Sequence, residues 1–164
     1  MPKNYRAQAT RLLKKIDAAL PKKASKELRH FTELFYAKTP VADLEQLAPG
    51  QAVDIASHAF DFIAQRKPNE FKAEITEDKK TGNVILNLLN NDMPFLVDSM
   101  TSALTRRGIS PARVIHPIFD INRTAKGAYQ SANAKSGKKG SQKESYIRID
   151  MPALPEGLTH KALM

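Results

Sequence analysis

The sequence predicts an α+β fold, a helical segment followed by an antiparallel sheet that carries one further helix. Three observations predict it. Apolar residues recur at spacings of three and four up to residue 68 and at a spacing of two from residue 71. A run apolar on both faces, VILNLL at 84–89, leads through the polar turn NNDMP into a second helical pattern. Two further strand patterns, 112–122 and 144–151, then follow, giving the order strand–strand–helix–strand–strand.

Taken in order, Tyr5, Ala9, Leu12, Leu13, Ile16 and Leu20 form the stripe of an amphipathic helix that ends before Pro21. Ser25 is placed to cap a second helix with Leu28, Phe31, Leu34 and Phe35 buried, closing by Thr39 because Pro40 disfavours helical geometry in its predecessor. Thr39 then caps a short third helix, and Pro49 opens a fourth that is apolar on more than one face and therefore clamped between neighbours. Pro68 closes this segment, so the first domain is read as 1–68 and the second as 69–152.

Phe71, Ala73 and Ile75 alternate with Lys72, Glu74 and Thr76 in a half-buried strand, and 78–82 turns the chain back into 84–89. Leu96, Val97, Met100, Ala103 and Leu104 carry the next helix, with Pro94 in its first turn, Asn91 or Asp92 as cap and Gly108 as its stop. A crossover through that helix skips one sheet position, which the last strand can fill, giving the order 71–77, 83–90, 144–151, 112–122. Pro117 cannot donate to a ladder, which puts 112–122 at an edge or on a bulge. Residues 125–142, rich in Gly, Ser, Lys and Ala, bury too little surface to offset the entropy of ordering and read as a disordered loop. Residues 153–164 read as the start of a further element.

Composition removes several functions. With no cysteine there is no disulfide framework, thiolate nucleophile or cysteine metal site. No run approaches the ~20 apolar residues of a membrane span, and Asp17 with the lack of serine disfavours an N-terminal transit peptide, so the expected location is cytoplasmic. The net charge of +9 is uneven: residues 1–30 carry +7 and residues 121–143 carry +6, leaving −4 elsewhere. Few aromatics interleave with these basic stretches, so they are a weak signal for nucleic acid and a better one for a solvated surface.

Chemistry is sparse. The seven glycines build no phosphate-cradling loop, and His30, His58, His116 and His160 have no partners at metal-ligand spacing. His116 shares a strand face with Val114 and Ile118 and reads as half-buried with a backbone partner. Asp98 and Ser99 point about 100° apart on a helix with no base to follow, which is no acid–nucleophile pair. The turn is the best place for a small ligand. Its helix N-terminus favours an anion while Asp92 disfavours a phosphate, so a zwitterion is the better fit. Phe95 falls with Asp98 and Ser99, away from the apolar stripe, which fits either an exposed aromatic at a ligand or subunit contact or a ring packed under the 1–68 helices.

NNDMPFLVDSM at 90–100, VIHPIFDINR at 114–123 and ESYIRI at 144–149 resemble the N-terminal region of the large NAD-specific glutamate dehydrogenases. Asp43-Leu44, and Arg66 ahead of Pro68, are compatible with the same family. The resemblance spans roughly 40–152 and implies an ACT-like, ferredoxin-like unit, incomplete at its C-terminus. It implies a non-catalytic regulatory or assembly segment, with no catalytic residue and no cofactor of its own. NAD and the deamination of L-glutamate would belong to a catalytic region downstream in the same chain. The residues singled out for an amino-acid effector or a subunit contact in a homo-oligomer are Asn91, Asp92, Met93, Pro94, Phe95, Asp98 and Ser99. Such modules usually have Asp-x-Pro-Gly here. Phe95 in place of glycine hinders close approach by a ligand and favours the contact role. A stand-alone amino-acid sensor and a basic nucleic-acid binder are the competing classes.

Overall fold

A computed structural model of the chain describes residues 3–77, 82–133, 141–157 and 159. Residues 78–81 of the expected turn at 78–82, the centre of the 125–142 stretch at 134–140 and most of the tail past Gly157 lie outside them. The described chain is α+β, with helices and antiparallel strands, and it divides into two compact units, 1–67 with 119–141 and 68–118 with 142–164. This differs from a split into 1–68 and 69–152, because 119–141 belongs with the helices.

The first unit holds α1 (Lys3–Ala19), α2 (Lys26–Tyr36), α3 (Val41–Glu45), α4 (Pro49–Ile63), β4 (Ile118–Arg123, from Phe119 on) and β5 (Tyr129–Asn133). Ser25 caps α2 as expected, its hydroxyl accepting from the Leu28 amide at 3.1 Å. Thr39 does not cap α3. Pro40 occupies that position, and the Val41 amide donates instead to the Tyr5 hydroxyl on α1 at 3.1 Å. Proline opens α4, whose Ala52, Val53, Ile55, Ala56, Ala59 and Ile63 are all buried. Phe31 is the hub of the aromatic core, with ring centroids 5.7 Å from Phe35, 5.2 Å from Phe60 and 5.0 Å from Phe119.

Residues 125–133, expected to be disordered, are a turn and a strand. β5 pairs antiparallel with β4, matching Asp120 to Asn133 and Ile121 to Ala132. Three contacts order it. Tyr129 stacks edge-on against Phe60 at 5.3 Å, its amide donates to the Ala64 carbonyl at 2.8 Å, and Gly127 accepts from the Arg66 amide at 3.1 Å. Arg123 donates to the carbonyls of Ile63 (2.9 Å) and Gly127 (3.0 Å), binding the end of α4 to the hairpin. These contacts supply surface and hydrogen bonds that the segment's own composition lacks.

The second unit holds β1 (Lys72–Glu77), β2 (Val84–Asn91), α5 (Leu96–Thr105), β3 (Arg113–Ile115) and β6 (Gln142–Met151). Its strands lie in the order β1-β2-β6-β3, all antiparallel, and β6 fills the position skipped between β2 and β3. That is the order expected from the sequence. The expected strand 112–122 is broken at His116-Pro117 into β3 and β4, which is how the proline is accommodated. Val84, Leu86, Leu88, Ile147, Ile149 and Met151 meet Leu104 and Ile109 in one core, with Leu96, Val97 and Met100 of α5 against it. Gly108 stops α5 at φ +76°, and the Ile109 amide returns to the Leu104 carbonyl at 3.0 Å.

Candidate functional site

Of the residues expected to form a site, Asn91 ends β2 and Asp92, Met93, Pro94 and Phe95 form the turn into α5. β6 pins the start of the turn, the Asp92 amide donating to the Lys143 carbonyl at 2.9 Å. Asn91 is fixed from both sides: its amide donates to Asn90 Oδ1 at 2.9 Å and its Nδ2 to Asn69 Oδ1 at 2.8 Å. Asn90 Nδ2 in turn lies 3.9 Å from Met93 Sδ. The Asn90 and Asn91 side chains are therefore occupied in holding the turn.

The helix begins differently from the expectation. Neither Asn91 nor Asp92 caps it, and Pro94 lies ahead of it. Phe95 occupies the cap position at φ +63°, ψ +12°, with no side-chain cap, and its carbonyl accepts from the Ser99 amide at 2.9 Å. A non-glycine residue in this left-handed region costs about 1–2 kcal/mol, and the aromatic ring recovers little of it inside the chain, since Phe95 is 75 % exposed. Met93 (53 %) and Phe71 (55 %) are exposed too. Phe71 directly precedes β1, one pair beyond Lys72↔Leu89, so it comes level with Asn90 at the same end of the sheet. The large exposed hydrophobics among the described residues thus gather at this corner.

Asp98 and Ser99 are exposed on the first turn of α5. Ser99 has no base beside it among the described contacts, so the pair offers no nucleophile. A serine and a histidine do meet elsewhere. His116 Nε2 lies 2.5 Å from Ser145 Oγ, and Ser145 is the β6 partner of Asn90. The half-buried histidine takes a side-chain partner. Only 1 % of Ser145 is exposed, so no substrate reaches its hydroxyl and the pair serves the sheet end. Alternation along 144–151 places Ser145 on the Ile147 face, the one signal that could have found it; the match to His116 crosses 29 residues and has none.

On the opposite face of the same sheet, sequence reasoning missed a buried polar row. Tyr146 donates to Asn87 Oδ1 at 2.8 Å, Asn87 Nδ2 donates to Glu74 Oε2 at 3.2 Å, and Asp150 pairs with Arg113 (3.2 Å) and Arg148 (2.8 Å). Asp150 thus faces two guanidinium groups, one from the paired strand β3 and one from its own strand. Among the described residues no group of three or more His, Asp or Glu is placed to hold a metal ion, and no helix is long and apolar enough to cross a membrane.

A four-stranded antiparallel sheet with one helix packed on a face, and a turn between its inner strand and that helix, defines an α+β module of ACT type. Residues 31–164 match the family described as "Glutamate dehydrogenase, ACT1 domain", and the chain belongs to that family. It is 25 % identical over 147 residues to the NAD-specific glutamate dehydrogenase of Halomonas elongata, an alignment covering 85 % of this chain and 9 % of the relative. The chain therefore spans about a tenth of the length of that curated relative. No solved structure matches it.

Proposed function

We propose that this chain is a non-catalytic assembly and regulatory segment of an NAD-dependent glutamate dehydrogenase. That enzyme converts L-glutamate, NAD and water to 2-oxoglutarate, ammonia and NADH. The segment itself takes no NAD; cofactor and substrate bind to the downstream catalytic region of the same polypeptide. Within the segment, the exposed corner of Phe71, Met93 and Phe95 is a subunit contact of a homo-oligomer.

The observation that carries this reading is Phe95: an aromatic ring held in a costly backbone geometry and left in water. The occupied Asn90 and Asn91 side chains and the missing glycine disfavour a small ligand at the same spot. Sedimentation velocity on the chain and on Phe95→Ser and Met93→Ser tests it. Self-association is expected for the parent chain and a shift towards monomer for both variants, with unchanged circular dichroism. Identical sedimentation of all three would remove the contact role. A nucleotide titration monitored by calorimetry should give no heat with NAD; a saturable signal would contradict the division of labour.

A further inference from the structure

A second feature lies in the helical unit. α1 and α2 diverge around a cleft of about 580 Å³, within the ~300–1,000 Å³ range of small-molecule sites. Leu13, Ile16 and Leu20 form its apolar floor. Four charged side chains line it, Lys14 and Asp17 from α1 and Arg29 and Glu33 from α2. Two of these neutralise each other. Arg29 Nη1 lies 3.2 Å from Asp17 Oδ1, and its Nη2 donates to the Pro21 carbonyl at 2.9 Å, closing the turn between the helices. The hydroxyls are spent as well: Thr10 donates to the Arg6 carbonyl and Thr32 to the Leu28 carbonyl. His30 Nε2 lies 3.2 Å from the Ala132 carbonyl. What remains without a hydrogen bond or ion pair among the described residues is one ammonium, Lys14, on one wall and one carboxylate, Glu33, on the other.

We infer that this cleft binds a small zwitterion with an apolar side chain, an aliphatic amino acid. The ligand's carboxylate meets Lys14, its ammonium meets Glu33, and its side chain covers Leu13, Ile16 and Leu20. A single anion or cation satisfies one wall and leaves the other charge unpaired, whereas a zwitterion neutralises both at once. The inference rests on the regulatory half of the proposed function and moves the effector away from the turn at 90–95. Lys14 and Glu33 are exposed, so each ion pair adds modestly and binding is millimolar.

The test is a nitrogen-15 NMR titration of the chain with leucine to about 20 mM, well above the affinity expected for a pair of exposed ion pairs. Isocaproate, which lacks the ammonium, and isoamylamine, which lacks the carboxylate, are titrated in parallel. Leucine should shift amides in 10–20 and 29–33, and the two half-ligands should shift them only at several-fold higher concentration. Lys14→Ala and Glu33→Gln, both on exposed side chains that leave the fold intact, should each weaken leucine about two- to five-fold. Leucine shifts that survive both variants, or half-ligands that bind as well as leucine, would overturn the assignment. Shifts at 91–99 instead would overturn the cleft while keeping an amino-acid effector at the turn. No shifts anywhere would also overturn it, while sedimentation of the Phe95→Ser variant independently decides the assembly role.

Discussion

Two turns of this chain require the same left-handed backbone and fill it with opposite residues. Gly127, at φ +87°, sits between β4 and β5; Phe95, at φ +63°, sits between β2 and α5. A Cβ on Gly127 would lie 2.1 Å from the Arg66 carbonyl oxygen and 2.8 Å from its carbon, so the position is closed to every other residue. At Phe95 a full aromatic side chain projects into water. The first turn is dictated by packing within its unit. The second carries a conformational cost that packing does not require, and such costs concentrate where a protein meets something else.

The largest effect should therefore come from Gly127→Ala. Backbone cannot retreat as a flexible side chain would, so the hairpin must detach from 64–66 or distort. The expected loss is on the order of 3 kcal/mol or more, a fall in midpoint of roughly 10 °C for a chain of this size. Thermal melts by circular dichroism measure it, and an unchanged midpoint would mean that the hairpin is not locked to α4. Arg123→Met keeps the apolar stem but removes the donor shared by Ile63 and Gly127, leaving two carbonyls without it. About 2 kcal/mol is expected from the same melts.

How much of this was legible follows from where each signal sits. The helical stripes and the period-two strands are local, and the order β1-β2-β6-β3 followed from those patterns plus one connection rule. The hairpin was not legible. Its order depends on Phe60, Ile63, Ala64 and Arg66, half a chain away, while its own residues read as low-complexity loop. Pro117 announced a strand defect but not whether it would bend or end the strand; it ends β3. The candidate turn was located from the helix that follows it, yet its geometry was misread. Pro94 suggested a helix already begun, and nothing in Asp-Met-Pro-Phe marks Phe95 as left-handed. A glycine there would have marked it.

That substitution is the sharpest test of the second turn. Phe95→Gly relieves about 1–2 kcal/mol of left-handed strain and adds about 0.5–1 kcal/mol of unfolded-state entropy. The balance is a stabilisation of about 0.5 kcal/mol in urea-melt midpoints, accompanied by loss of self-association. A variant that is both less stable and still associated would show the ring working inside the chain, and the contrast between the turns would collapse. Phe95→Ala keeps the strain without the ring, and should lose association with no gain in stability.

The smallest effect lies in pH. Tyr129, against Phe60 in the hairpin, has its phenol pushed above the ordinary value near 10, chiefly by burial and secondarily by Glu27, while the Ala132 backbone hydrogen bond and Arg123 pull the other way. The folded hairpin thus keeps a proton that the unfolded chain gives up near its ordinary pKa. Its contribution is fully present below about pH 10 and declines as pH rises through that value, because there the unfolded state binds fewer protons than the folded one. Phenolate absorbance of the parent chain minus that of Tyr129→Phe should place this titration above the free-tyrosine curve. Melts of the same pair should converge with rising alkalinity. A difference curve at or below the free value would mean that Tyr129 is more open to water than its packing against Phe60 implies, and would weaken the claim that the hairpin, unlike the Phe95 turn, is held from within.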